Sequence, residues 1–440
     1  SDFMEEHQIN IRMFRPMESY QKYGGVLTFA RSVGYAVVKK PEGYTTAKVD
    51  QIIQENEKKS ANEQQSTAKQ YPNIITVVNE TFADIKVLGD FKTNEDYMPY
   101  FHSLKKNCVT GYTYASIVGG QTANTEFELL TGNTLGFLSA GTTAFQLYIH
   151  GQMPSLVSNL KAEGYSGNKA MHPFNPYNYN RPAVYKDFGF ADFIDKFDFP
   201  KNVKRVREYI SDEANVDRII SEYEKNRKKT DQPFYMYNMT IQNHSPYDKD
   251  AANFKQPIKI ESSKYDAEAN RYLNLIKYSD DSLKQLTSYF EKCKEPTIIL
   301  FLGDHQPRLT DEFMNKITNG QYQTWSGEQM MKRYQVPFVI WANYDIKEQH
   351  IEKTSMNYIQ SILTQTAGVK MTGYQRFLNE VRKEVPTITS QGYWGKNGKF
   401  YQINDKGSPY YGIIQKYRMI QYNMMFDKKN RRDSFFEVSK

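Results

Sequence analysis

Four contiguous apolar runs constrain this chain more than any other feature. YPNIITVVNE (71–80), FYMYNMTIQNH (234–244), EPTIILFLGDH (295–305) and VPFVIWANYD (336–345) string aliphatic and aromatic residues together and close on polar ones. An unbroken apolar run of strand length requires burial on both faces, as in the interior of a parallel sheet covered by helices. The segments between them supply the helices. MPSLVSNLKAEG (153–164) ends on a glycine suited to a helix C-terminus, and YDAEANRYLNLIKYSDDSLKQLTSYFEK (265–292) carries apolar residues at helical spacing. Strands alternating with helices predict an α/β domain, its central sheet mostly parallel and flanked by helices.

The flanks read differently. Residues 1–70 form a lead-in, whose second half, VDQIIQENEKKSANEQQSTAKQ, is charged and Gln-rich and reads as an exposed helix or a linker. Residues 71–385 hold the α/β pattern. Residues 386–440 have short aromatic segments punctuated by glycine, which predict a small α+β subdomain, an antiparallel hairpin or sheet followed by a helix.

Composition excludes several classes. The 440 residues can bury a sizeable core, so disorder throughout is excluded. Two cysteines, Cys108 and Cys293, allow neither a disulfide framework nor a cysteine metal cluster. The net charge of +7 is spread without a long basic block. It fits a solvated basic surface or anionic partners such as phospholipid headgroups and wall polymers, and argues against nucleic acid. The 34 tyrosines suit a surface that stacks on sugars or an aromatic-rich core. The apolar run Ile298–Leu302 is too short to span a bilayer. The chain opens on Ser1, which fits a fragment of a longer protein.

Three of the apolar runs end in groups able to bind metal or phosphate: Glu80, His244 and the pair Asp304-His305. Ligands of open α/β sheets bind beyond the carboxyl ends of the strands, so these residues are expected at one edge. Each has a plainer reading, as a solvated strand-end carboxylate, a loop histidine or a chance dipeptide. Carboxylate and imidazole donors without cysteine suit Mn²⁺, Zn²⁺ or Mg²⁺ alike. A fourth stretch, GGQTANTEFELLTG (119–132), looks like a helix start. Thr122 there is either a cap or a hydroxyl placed at the positive end of the helix dipole, where phosphate oxygens bind; Asn124 and Thr125 are expected to do the capping.

Taken together, Glu80 in VVNETF, Thr122 in GGQTANTEFELLTG, Arg181 in NYNRPAVYKDFGF, His244 in IQNHSPY and Asp304-His305 in FLGDHQP resemble the lipoteichoic acid synthase family of phosphoglycerol transferases. That family belongs to the alkaline phosphatase and sulfatase superfamily. The chain is also similar to enzymes that add glycerol phosphate to rhamnose-containing wall polysaccharides. The resemblance implies a Gram-positive cell-membrane enzyme with an extracellular catalytic domain, anchored through a missing N-terminal transmembrane region. Phosphatidylglycerol would be the donor, and a wall polysaccharide, a glycolipid or a growing lipoteichoic acid chain the acceptor. It further implies Thr122 as nucleophile and Glu80, Thr122, Asp304 and His305 as ligands of one Mn²⁺. Arg181, His244, Asn180 and Tyr179 would bind substrate. The chain departs from the synthases in having Tyr179 where they have Trp, and HPFNPYNY lacks an acidic residue that they carry. His172 in that stretch is expected to be structural.

Two other readings use the same scaffold. One is a metal-dependent phosphodiesterase, phosphoethanolamine transferase or sulfatase-like hydrolase; sulfatases use a modified Cys or Ser, and position 122 is Thr. The other is a wall-binding module without turnover.

Overall fold

The computed structural model describes residues 38–60, 70–261 and 266–438. The aromatic and glycine-rich part of the lead-in, before residue 38, lies outside the described residues.

Among the described residues thirteen strands follow in chain order: β1 Asn73–Asn79, β2 Cys108–Tyr114, β3 Ser166–Met171, β4 Asp192–Ile194, β5 Arg205–Val206, β6 Tyr209–Ile210, β7 Phe234–Met239, β8 Thr297–Gly303, β9 Gln335–Ala342, β10 Gln349–Ser355, β11 Thr387–Thr389, β12 Gly392–Trp394 and β13 Phe400–Tyr401. Eight form one sheet in the order β10-β2-β9-β8-β1-β7-β3-β4. Only β9 runs against the rest: it pairs antiparallel with both β8 and β2, while every other neighbouring pair is parallel. The expected mostly parallel sheet is therefore present, with one reversed strand.

The four apolar runs are β1, β7, β8 and β9, near the middle of the sheet. All residues of β1, β7 and β8 are buried. Each buried aliphatic or aromatic side chain contributes about 1.5–3 kcal/mol, so these strands anchor the core. Helix Ala267–Phe290 covers one face through Leu273, Leu275, Ile276, Leu283 and Leu286. Helix Leu156–Ala162 opens on a Ser155–Ser158 capping box, and Gly164 leaves it at φ +88°.

The first part of the charged, Gln-rich stretch is a helix over Thr46–Lys59, docked rather than free, and residues 61–69 of the stretch lie outside the described residues. Val49 and Ile52 are buried, Asp50 pairs with Arg432 at 2.6 Å, and Glu55 pairs with Lys416 at 2.6 Å. A two-residue apolar stripe suffices because the C-terminal helix Tyr411–Phe426 supplies the facing surface.

The C-terminal subdomain has the expected small antiparallel sheet, β11-β12-β13, and then that helix. Tyr417 donates to the Gly132 carbonyl at 2.6 Å, and Gln421 bonds the backbone of Thr134 in both directions, at 2.8 and 2.9 Å. The subdomain thus holds the end of helix Thr122–Thr131. Among the described residues no helix is long and apolar enough to cross a membrane.

Candidate functional site

Because β1, β2, β3, β7 and β8 run in one direction, their carboxyl ends share an edge of the sheet. Glu80 follows β1, Asp304 and His305 follow β8, and His172 follows β3 directly. The segment after β2 leads to Thr122, and the one after β7 to His244. A cavity of about 430 Å³ opens there, lined by Glu80, Thr122, Tyr179, Arg181, His244 and His305 among others. The residues singled out from five separate segments are thereby brought together.

Glu80, Asp304 and His305 are buried and place one ligand atom each within 4.8 Å of one another; among the described residues no other such group of three or more exists. The β8 turn is tight because residue 303 is glycine: a Cβ there would stand 1.8 Å from the Phe82 carbonyl oxygen. Asp304 Oδ1 accepts from the backbone N–H groups of Thr81 (2.7 Å) and His305 (2.8 Å), leaving Oδ2 free to face inward. His305 Nδ1 lies 3.0 Å from the Gln306 carbonyl, an acceptor only, which assigns the proton to Nδ1 and a lone pair to Nε2. That Nε2 stands 3.2 Å from Asp304 Oδ2 and 3.8 Å from Glu80 Oε1.

Neither His305 Nε2 nor Asp304 Oδ2 has a hydrogen-bond partner among the described residues. Buried lone pairs aimed at one another are costly unless a cation joins them. Burial first, and then the Asp304 charge, push the Glu80 carboxyl above its usual range. The donor set therefore fits a divalent cation. A carbonyl bond that fixes the tautomer of a ligating histidine is the usual outer support of such a site.

Thr122 opens helix Thr122–Thr131, whose ten residues are all buried. Gln121 is the N-cap, in the left-handed conformation at φ 65°, and its side chain makes no capping bond. The expected caps do other work. Thr125 Oγ1 donates to the Asp304 carbonyl at 2.8 Å, and Asn124 bridges to the Thr142 carbonyl and the Ala144 N–H. Both side chains are spent on distant loops, so the helix starts without a side-chain cap. The Asn124 N–H bonds the Gln121 carbonyl at 2.8 Å, which leaves the amides of Thr122 and Ala123 for a ligand in the cavity. The Thr122 hydroxyl makes no hydrogen bond among the described residues, and Thr125 ties its helix to the metal-binding turn.

Arg181 is buried at the start of helix Arg181–Phe188. Its Nε and Nη2 donate to Glu126 Oε1 at 3.1 and 2.7 Å. Glu126 Oε2 accepts from the hydroxyls of Tyr185 and Tyr237. Burial opposes the Arg181 charge, but the Glu126 carboxylate outweighs it and raises the pKa further. Glu126 is a site residue that sequence reasoning missed, since no spacing links positions 126 and 181. Tyr179 lines the cavity, with the Arg181 guanidinium 5.1 Å from its ring centre. Tyr179 and Asn180 both take positive φ, 59° and 58°. Asn180 is exposed and is not among the residues lining the cavity.

His244 is held by Nδ1 against the Ser245 carbonyl at 2.7 Å and stacks on Phe174, leaving Nε2 as its free edge. His172 lines the cavity too, its Nδ1 3.0 Å from the Met239 carbonyl. Burial, reinforced by the Arg181 charge, lowers its pKa well below the ordinary value, so it is a neutral wall. Gln121, Gln146, Asn178 and Arg308 also line the cavity and carried no signal in the sequence.

Residues 72–369 match the sulfatase family. A putative cyclic beta-1,2-glucan modification protein of Rhizobium meliloti (strain 1021) is 30% identical over 97% of this chain and 65% of its own length. The lipoteichoic acid synthase-like YvgJ of Bacillus subtilis (strain 168) is 27% identical over 53% of this chain and 36% of its own. The chain thus spans less than two thirds of either relative. The fold is shared with the Streptococcus pyogenes phosphoglycerol transferase GacH, solved with sn-glycerol-1-phosphate: the TM-score is 0.72 at 20% identity, over 91% of this chain and 100% of that one. The family match runs over the eight-stranded sheet and every strand-end residue above, and the chain belongs to the sulfatase family.

Proposed function

We propose that this protein transfers sn-glycerol phosphate from phosphatidylglycerol to a hydroxyl of a cell-envelope glycan, by way of a glycerophospho-threonine on Thr122. The observation that carries the reading is the Thr122 hydroxyl: it is unbonded at an uncapped helix start, in one cavity with Glu80, His305 and Arg181. In the first step Thr122 Oγ bonds to the donor phosphorus as the bond to diacylglycerol breaks. The hydroxyl proton leaves with diacylglycerol, and His244 Nε2 is placed to carry it. In the second step an acceptor oxygen bonds to phosphorus, the Thr122–phosphorus bond breaks, and the acceptor proton returns to Thr122.

Glu80, Asp304, His305 and Thr122 would hold a divalent cation, Mn²⁺ by preference, whose charge lowers the pKa of a bound hydroxyl and offsets phosphate charge. Arg181 and the amides of Thr122 and Ala123 receive the phosphate oxygens. Glu126 keeps the guanidinium aimed and limits its freedom to move. The likeness over nearly the whole chain to a putative glucan modification protein supports a glycan acceptor. Both substrates are then found on the outer side of the cell membrane, where we place the catalytic domain.

Incubation of the protein with phosphatidylglycerol vesicles and Mn²⁺ should release diacylglycerol, and Thr122→Ala should release none. Equal release by the two proteins contradicts the reading.

A further inference from the structure

Two arginines line the cavity, and among the described residues only one of them has a carboxylate partner. Arg181 is bound to Glu126, so that pair carries no net charge. Arg308 is exposed and makes no ion pair, hydrogen bond or ring contact among the described residues. Its place is fixed by the loop that leads to Thr122. The Gly119 N–H donates to the Gln306 carbonyl at 2.9 Å. The Arg308 stem lies across Gly119, where a Cβ would stand 2.5 Å from Arg308 Cγ and 3.1 Å from Cδ. Glycine at 119 is thus required both by its φ of +67° and by the arginine that crosses it.

The rest of the lining offers nothing to a cationic headgroup. Glu80 is the only carboxylate among the described residues of the lining, and it belongs to the cation site. Ammonium groups are otherwise held on aromatic faces. The described lining has three such rings, and each already has a cation beside it. Arg181 is 5.1 Å from the Tyr179 ring centre, Arg207 5.8 Å from that of Tyr247, and Lys196 6.0 Å from that of Phe174. A phosphodiester entering the cavity finds Arg308 for its charge, whereas an ammonium finds repulsion and no acceptor. Such a site separates two donors of similar shape by what it repels as much as by what it binds.

From this arrangement we infer that Arg308 selects the donor by its headgroup: it takes the charge of the phosphodiester and turns away a headgroup that carries an ammonium. A neutral polyol such as glycerol is admitted, and ethanolamine is not. This rests on the transferase reading above and names the residue that chooses its donor. Arg308 acts on binding; it forms no bond to the transferred phosphorus and moves no proton.

The test titrates the whole chain, with Mn²⁺ present, with two soluble phosphodiesters that bring no membrane with them, glycerophosphoglycerol and glycerophosphoethanolamine. The unmodified protein should bind the first about fivefold more tightly, the scale of one exposed charge. Arg308→Gln should bring the two affinities to within about twofold of each other, and Arg308→Lys should keep most of the preference. A preference that survives Arg308→Gln unchanged overturns the inference. So does equal weakening of both probes, which would make Arg308 a contact to phosphate alone, and so does the lack of any preference in the unmodified protein. If the preference depends on Arg308 but the unmodified protein releases no diacylglycerol from phosphatidylglycerol vesicles, the transferase reading fails while the selection stands.

Discussion

Glu126 and Arg181, 55 positions apart, form a buried ion pair at 2.7 Å one helical turn from Thr122. The helix that presents the threonine thereby also holds the arginine that faces the same cavity. Glu126→Gln keeps the shape and removes the counter-charge. A buried guanidinium left without it should cost about 3 kcal/mol of stability, read from the midpoint of urea unfolding. Adding Arg181→Met to Glu126→Gln should recover part of that loss. An unchanged midpoint for the single variant contradicts the pairing.

Thr122→Ala should leave stability within about 0.5 kcal/mol, because the hydroxyl bonds to nothing in the fold and the N-cap is Gln121. Thr125→Ala should be costly by comparison, about 1–2 kcal/mol, since its hydroxyl bonds the Asp304 carbonyl in the buried turn. Unfolding curves of the two variants, compared side by side, check the division of labour. Equal losses would contradict it.

Metal should act as a folding ligand. Mn²⁺ at about 100 times its Kd should stabilise the protein by about 2.7 kcal/mol through mass action. Asp304→Asn should abolish most of that gain, because Oδ2 is one of the two unpartnered donors. A melting temperature that does not respond to Mn²⁺, in the unmodified protein, contradicts the cation site.

His102 sits away from the cavity, between Asp84 at 3.6 Å and Asp96 at 2.7 Å. Its bond with Asp84, opposed by burial and aided by Asp96, raises its pKa from 6.5 to about 9. A histidine raised in this way favours the folded state below the unfolded value, and the contribution is lost as pH rises through the folded one. Stability should therefore fall between about pH 6.5 and 9, and His102→Gln should flatten that slope. A slope identical in the variant would rule out His102 as its source.

The legible part of the fold was its most buried part. β1, β7, β8 and β9 announced themselves because neither face meets water, so apolar residues run on without alternation. β3, SGNKAM, gave no such signal: Gly167 and Asn168 take positive φ where its register with β7 shifts. β10, QHIEKTS, lies at the sheet edge with exposed residues interleaved, and β4 is a three-residue edge strand. The reversal of β9 is equally invisible, since an apolar run carries no direction. In the site, Glu80 and Asp304-His305 could be read because each follows a strand directly. Glu126 could not: its three partners, Tyr185, Tyr237 and Arg181, meet it only after the chain has folded. The work of Asn124 and Thr125 was hidden for the same reason, because their bonds reach Thr142, Ala144 and Asp304 instead of capping the helix backbone.

The covalent step is the centre of the account. Mass spectrometry of the protein after incubation with phosphatidylglycerol and Mn²⁺ should find one glycerol phosphate on the peptide containing Thr122, absent in Thr122→Ala and removed by added glucan. Release of diacylglycerol with no adduct on that peptide, or with an adduct on another residue, would contradict it.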